Sequence, residues 1–450
     1  MNSPTAPVPQ PVSLGQATRV WGYVGVNSFG GPAGQIAVMH REVVENRGWL
    51  SEERFLHALN YCMVLPGPEA QQLATYIGWL LHGVKGGVIA GALFVVPGFV
   101  VMLALSIVYA IYGSVGWVAG ALFGLQAAVV AIVIQALIRV AGRTLHTWFL
   151  RMVAAGAFVA LFVFALPFPV VIVAAALVGW LVGKTRAEWL ARATAPIPIP
   201  QEAGDVGVKA TQLRGSLRAA LLCLVLWLTP VFALLLMLGA DNIFTQQSVL
   251  FSKTAVITFG GAYAVLAYIA QEAVQTYGWI SSDDMIVGLG LAETTPGPLI
   301  LVVQFVGFLA AYNNPGDLPP IVAGVLGACI TVWVTFLPCF FFIFLGAPYV
   351  EKLRHSQALR HVLAVIAAAV VGVILNLAVW FALNTAFGTV TVADWGPVHT
   401  SIPQINSVQW LAFVITGIAV LLVFRYHVST LKVLAVCASL GIAASLLGLT

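Results

Sequence analysis

Two short peptides, Pro66-Gly67-Pro68 and Pro296-Gly297-Pro298, lie inside long apolar stretches. Each proline removes an amide donor and clashes with the preceding turn. The glycine between them permits backbone angles closed to other residues. A helix therefore stops at each site and a new one begins, and proline suits the first helical position. The first amides of the new helix have no intrahelical partner. They carry partial positive charge and can hold an anion. A plain kink, or a turn at a membrane surface, is the alternative. Glu69 follows the first break and Glu293 precedes the second, with Gln71, Gln72, Thr294, Thr295 and Gln304 as neutral neighbours. Ionisable groups within apolar spans are costly and point to function. A carboxylate taken out of water binds a proton more readily and can carry it. At a helix start it can equally act as a cap, which fits Glu69. An ionised Glu69 would repel an anion unless a proton or a nearby cation offsets it.

Phe29-Gly30-Gly31-Pro32 and Phe259-Gly260-Gly261 form a second pair of interruptions. Their glycines either let backbone approach a substrate or let two helices cross closely. Asn27, Ser28 and Thr258 add neutral hydrogen-bonding groups beside them. Arg41 is the basic residue expected to attract or bind an oxyanion. Glu42 and Glu272 stand at equivalent places beyond the two Phe-Gly-Gly peptides and join Glu69 and Glu293 as proton-coupling candidates. The stretch from Arg41 to Leu59 reads as amphipathic, and its charges are most simply an exposed interfacial face. Other chemistries find no support. No G-x-x-x-x-G-K-[ST] loop is present, so transport driven by this chain's own ATP hydrolysis is not expected. The five cysteines contain no C-x-x-C pair and the eight histidines are dispersed, so neither a metal nor a cofactor is expected. No Ser-His-Asp or paired acidic arrangement points to an enzyme.

The elements that must position these residues follow from composition. Of 450 residues, 60% are hydrophobic and 8% are charged, against roughly 25% charged in soluble domains. Several apolar stretches reach the roughly 20 residues that cross a bilayer core. They fall at roughly 15–38, 62–82, 86–112, 115–138, 149–166 and 168–183, then 217–240, 250–270, 285–310, 320–346, 358–386, 408–424 and 429–449. That predicts an all-α polytopic membrane protein of about 13 spans, since lipid leaves backbone polar groups no other partner. Residues 1–14 read as a polar tail without signal-peptide character. Basic residues mark cytoplasmic loops. They crowd the hydrophilic linker 184–216, so this linker and the N-terminus are expected inside, with 217–240 as a connecting helix. On this topology 16 of the 20 Lys and Arg are cytoplasmic. The exceptions are Arg41, Arg47, Arg54 and Lys253, which makes the 41–54 loop its weak point. The net charge of +4 is modest, and no basic run with interleaved aromatics points to nucleic acid.

An internal repeat organises the chain. FGGPAGQIAVMHREVVENRGWLS from Phe29 and FGGAYAVLAYIAQEAVQTYGWIS from Phe259 match at nine of 23 positions without a gap; chance would give about two. The same offset of 230 carries the first Pro-Gly-Pro onto the second. Later, Pro97 matches Pro338 and Gln135 matches Asn376 at an offset of 241. Two repeats result, 15–183 and 241–450. With one extra helix between them they are expected to be inverted in the membrane, the usual skeleton of secondary transporters.

The peptides FGGPAGQIAVMHREVVENRGWLSEERF, LPGPEAQQLATYIGWLLHGVKGG and TPGPLILVVQFVGF resemble the chromate ion transporter family in its long two-domain form. The resemblance covers essentially the whole chain. It implies an electrochemically driven carrier in the bacterial inner membrane that exports chromate and confers chromate resistance. It also implies sulfate, another tetrahedral dianion, as competitor or countersubstrate. A sulfate or oxyanion uptake or exchange carrier is the alternative within transport; a channel or a chromate-reducing enzyme is the alternative outside it. The second repeat departs from the first, with Ala262 in the place of Pro32 and Leu299 in that of Glu69. The expected mechanism is alternating access of one repeat against the other around an anion at the two breaks. The expected partners are chromate and the lipid bilayer, and a homodimer is compatible with the sequence.

Overall fold

The structure, a computed structural model, describes residues 12–63, 65–190, 210–257, 262–347, 357–396 and 398–449. Thr258, Gly260 and Gly261, named above from sequence, lie outside the described residues. Helix α1 (Leu14–Asn27) starts at a capping box, in which Ser13 and Gln16 satisfy each other's amides. After Gly30 and Gly31, whose φ of 82° and 70° no β-branched residue would adopt, α2 (Gly31–His40) widens into a π turn at Arg41–Glu45. Helix α3 (Glu52–Cys62), capped by Ser51, leads to the first Pro-Gly-Pro. Then come α4 (Glu69–Tyr112), α5 (Gly116–Thr144), α6 (Trp148–Phe162), α7 (Phe168–Thr185) and α8 (Ala210–Leu238). The second half runs α9 (Ile243–Ile257), α10 (Ala262–Ala270) with a π turn at Gln271–Thr276, and α11 (Ser282–Thr294). After the second Pro-Gly-Pro come a 3₁₀ turn (Leu299–Leu301), α12 (Val302–Asn313), α13 (Pro320–Gly346) and α14 (Gln357–Ala386). Antiparallel strands β1 (Val390–Trp395) and β2 (Val398–Pro403) precede α15 (Trp410–Phe424) and α16 (Thr430–Leu446).

Six of these helices, α4, α5, α7, α8, α13 and α14, are long and apolar enough to cross a membrane. Four shorter apolar helices are α6, Leu299–Asn313, α15 and α16. The helix boundaries differ from the expected spans. The stretches 15–38 and 285–310 each hold two helices separated by a break, 62–82 holds the last residue of α3, a break and the first arm of α4, and 250–270 holds the end of α9 and all of α10. Helix α4 is itself a hairpin. At His82 and Gly83 the dihedrals leave the helical region, with φ 61° and ψ −152° at Gly83. A Cβ on Gly78 would lie 2.4 Å from the Gly86 carbonyl oxygen, so the chain has doubled back. The all-helical expectation also missed the β1–β2 hairpin.

The elements recur in order. Helices α1 to α3 with their π turn have counterparts in α9 to α11 with theirs, 230 residues on. Gly48 and Gly278 share a left-handed φ of 58° and 62°, and Ser51 and Ser281 cap equivalent helices. The second arm of α4 corresponds to α13, and α5 to α14. Helices α6 and α7 correspond to α15 and α16, displaced further by the β hairpin. Packing crosses between the halves through small residues, which let backbones approach. In half one's α5, Gly124 would meet the Cys437 carbonyl oxygen of α16 at 2.0 Å if it carried a Cβ. In half two's α14, Gly372 would meet the Ala154 carbonyl oxygen of α6 at 2.2 Å. Between the second arm of α4 and α13, Gly87 meets Phe344 and Gly91 meets Phe340. Higher numbers on one helix pair with lower numbers on the other, so these two equivalent helices run antiparallel.

Candidate functional site

Both Pro-Gly-Pro turns sit along that antiparallel pair. Gly67 has a φ of 124°, and a Cβ there would lie 2.9 Å from Cys339 Sγ of α13. A Cβ on Gly98 of α4 would lie 2.3 Å from the Pro296 carbonyl oxygen. Gly98 and Cys339 are equivalent positions, each following the proline inside its helix, Pro97 or Pro338. Each break thus rests against the opposite half's long helix, at the residue beside its proline. Pro66, Pro68, Pro296 and Pro298 are buried there.

At the first break, Pro68 holds the N-cap position and has no side chain to cap with. The Gln72 amide bonds to the Pro68 carbonyl at 3.0 Å, while the amides of Glu69, Ala70 and Gln71 have no partner among the described residues. Such groups call for a ligand or water. At the second break the Leu301 amide bonds to the Pro298 carbonyl at 2.9 Å, and those of Leu299 and Ile300 are without partners among the described residues. Gly297 (φ 85°) is held from the other half. Its N–H donates to the Ser28 carbonyl at 2.9 Å, and its carbonyl accepts from Gln35 Nε2 at 2.6 Å. Half one's Phe-Gly-Gly segment therefore anchors half two's Pro-Gly-Pro.

Most of the neutral groups named from sequence turn inward to backbone. Ser28 Oγ donates to Val24 O at 2.6 Å, Thr294 Oγ1 to Leu291 O at 2.7 Å and Thr295 Oγ1 to Ala292 O at 3.0 Å. Asn27 is exposed, with Nδ2 on Tyr23 O at 2.8 Å. Gln72 Nε2 donates to Pro66 O at 2.6 Å, and Gln71 Nε2 to Thr75 Oγ1 at 3.0 Å. Each of these two amides keeps a second N–H. Gln304 Nε2 ties the second break to α4 through Phe99 O at 2.9 Å.

The charged residues divide sharply. Glu293 is 2% exposed, and Tyr263 Oη donates to its Oε1 at 2.5 Å. Gly31 lies beside both; a Cβ there would be 3.8 Å from Tyr263 Oη and 3.9 Å from Glu293 Oε2. Gly30 holds the N-cap position of the helix that Gly31 begins. Arg139 of α5 lies within electrostatic reach of Glu293 and Tyr263, and Arg143 within reach of Glu69. Arg143 is thus the kind of cation that an ionised Glu69 beside an anion requires. Glu42 is buried but closed within its π turn, accepting from Asn46 Nδ2 at 2.8 Å and pairing with Arg47. Glu272 is partly exposed and hydrogen-bonded to Thr276. Arg41 is exposed at the start of its π turn.

Gln35, Tyr263, Arg139 and Arg143 escaped the sequence reading as site residues. Arg139 and Arg143 did carry a signal, since cations four apart share one helix face, but that signal marks topology as readily as a site. Tyr263 stands where half one has Ala33, outside the repeat pattern, so nothing flagged it.

A profile described as chromate transporter matches residues 15–180 and 245–442. The chain is 32% identical to a chromate transport protein of Pseudomonas aeruginosa, over 82% of this chain and 81% of that one. It is 26% identical to a chromate transport protein of Cupriavidus metallidurans, over 78% of each chain. It is also 26% identical to a probable chromate transport protein of Synechococcus elongatus, over 76% of this chain and 77% of that one. No solved structure matches the chain.

Proposed function

Since this chain belongs to the chromate transporter family, we propose that it is a secondary carrier in the bacterial inner membrane that exports chromate and so confers resistance to it. The anion binds between the two Pro-Gly-Pro helix starts while one half rocks against the other. One observation carries this reading: two uncapped helix starts, one per half, abut the same antiparallel helix pair. Backbone amides read negative charge and oxygen geometry rather than the central atom, so sulfate competes for the site.

The short helices favour a topology other than 13 full spans. Helix α1 has 14 residues and is about 21 Å long by helical rise, too short for a core of about 30 Å. Its start lies by the α4 turn, where a His82 ring nitrogen bonds Val12 O at 2.7 Å. Its end lies along α4, where Gly25 abuts the Leu93 carbonyl. We read α1–α2 and α3 with the first arm of α4 as two re-entrant hairpins entering from the cytoplasm. Their counterparts in half two enter from outside. Broken backbone at that depth is tolerated where protein or a water-filled cavity surrounds it. Nine helices then cross fully: the second arm of α4, α5 to α8, and α13 to α16. This places 19 of the 20 Lys and Arg toward the cytoplasm, with Lys253 the exception, and removes the anomaly of the 41–54 loop. Equivalent helices running antiparallel support inverted repeats.

The test is flux in proteoliposomes with chromate, sulfate, molybdate and phosphate in competition, under imposed pH and voltage gradients. Saturable chromate flux inhibited by sulfate is expected. Current without saturation would make the protein a channel, and formation of Cr(III) would make it an enzyme. Gly67→Val and Gly297→Val each force a side chain onto a left-handed glycine, and both are expected to abolish flux in protein that still inserts. Undiminished flux in both would remove the proposed site.

A further inference from the structure

The two halves present chemically different mouths. Between half two and the end of half one's α6 lies a cavity of about 310 Å³, whose polar lining comes from half two and includes Gln271, Gln275, Asn376, Trp380, Asn384 and, from the β hairpin, His399. The hairpin has no counterpart in half one. At the repeat offsets, the first five correspond to Arg41, Glu45, Gln135, Arg139 and Arg143. Three cations thus stand where half two has two amides and an indole. The one acidic counterpart, Glu45, is paired with His40 at 3.2 Å. Packing differs in the same sense. Helix α10 packs on α14, with Val265, Leu266 and Ile269 fully buried. Its counterpart α2 makes no comparable contact with α5 among the described residues and buries only Gly31, Gln35 and Met39. Arg139 and Arg143 are consequently exposed, whereas Trp380 and Asn384 are partly covered.

We propose that Arg139 and Arg143, on one face at the cytoplasmic end of α5, form a one-sided gathering site for tetrahedral dianions, and that its neutral counterpart beneath the β hairpin is the release mouth. The inference rests on the transport reading and adds a polarity to it. Guanidinium groups bind oxyanions through paired N–H donors and remain charged at any physiological pH. They raise the local anion concentration at the mouth they line. Arg139 lies within electrostatic reach of Glu293 and Arg143 within reach of Glu69, the carboxylates beside the two breaks. An exit without cations does not hold the departing anion, so the difference between the mouths favours outward movement.

The test compares wild type with the Arg139→Gln/Arg143→Gln double variant in inside-out and right-side-out vesicles. The KM for chromate presented at the cytoplasmic face is expected to rise about tenfold at low ionic strength. The effect should shrink as salt screens the mouth. KM at the outer face is expected to stay within about twofold, because steering acts only on the mouth that carries the charges. The Arg139→Lys/Arg143→Lys variant should retain most of the cytoplasmic affinity, which separates charge from packing. In the converse experiment, Asn384→Arg should lower the outer-face KM. An equal rise at both faces would place the arginines in the shared central site and overturn the proposal. So would unchanged KM at both faces, or an outer-face KM that Asn384→Arg leaves unmoved. Wild-type vesicles that carry no chromate from either face would overturn the transport reading itself.

Discussion

Glu293 sits at the end of α11, shielded from solvent, with a tyrosine hydroxyl bonded to it and a glycine pressed beside it. A buried hydrogen bond to a charged group contributes about 1.5–3 kcal/mol. Tyr263→Phe removes that donor without changing shape. It should shift the pH profile of flux while leaving insertion intact, and an unmoved profile would reduce Tyr263 to a packing residue. Glu69→Gln is expected to alter the pH dependence as well; an identical profile would leave Glu69 a structural cap. At this scale the sequence reading was uneven. It found both breaks and both carboxylates, because prolines, glycines and charges are conspicuous in apolar runs. What residue type did not reveal is that the hydroxyls of Ser28, Thr294 and Thr295 donate to carbonyls of the preceding turn. A hydroxyl's partner depends on its rotamer and its neighbours, neither of which is written in residue type.

The elements around the breaks act through close backbone contact. Gly98 touches the Pro296 carbonyl, so Gly98→Val would push the second break off α4. Overpacking of this kind costs about 1–3 kcal/mol. The variant should insert but lose most flux, and wild-type flux would show that the contact is not needed for transport. At the α4 turn, Gly83→Val places a β-branched residue at φ 61° and ψ −152°, a region essentially confined to glycine, at a penalty of about 1–3 kcal/mol. Its melting temperature in detergent should fall by several degrees; an unchanged value would mean the turn relaxes freely. The break after Cys62 was legible in Pro-Gly-Pro. The reversal at Gly83 was legible only as a gap between apolar runs, because a lone glycine in a Gly-rich chain marks nothing.

For the whole molecule, the re-entrant topology and the 13-span topology differ at two loops. The first places Arg54 in the cytoplasm and Thr276 outside; the second reverses both. With the five native cysteines replaced, Arg54→Cys should react with a membrane-impermeant maleimide in inside-out vesicles, and Thr276→Cys in right-side-out vesicles. The opposite pattern would restore 13 full spans. The exchange of partners between halves, α5 against α15 and α16, α14 against α6 and α7, means that neither half completes its packing alone. Co-expressed halves split in the 184–216 linker should therefore copurify. Halves that fold and purify separately would contradict the exchange.

Composition and repetition by themselves determined a helical membrane protein in two related halves, with a break in each. Those features are local, because apolar length, proline and glycine act on their own stretch of chain. The tertiary structure alone decided where the helices break within those stretches. Two half-length helices with a turn between them have the same hydropathy as one crossing, and only contacts such as Val12 to His82 and Gly25 to Leu93 tell them apart. It alone decided that Gly297 answers to Ser28 and Gln35, and that Arg139 comes within electrostatic reach of Glu293 and Arg143 of Glu69. Partners so far apart in the chain are set by how helices pack, which no single segment encodes.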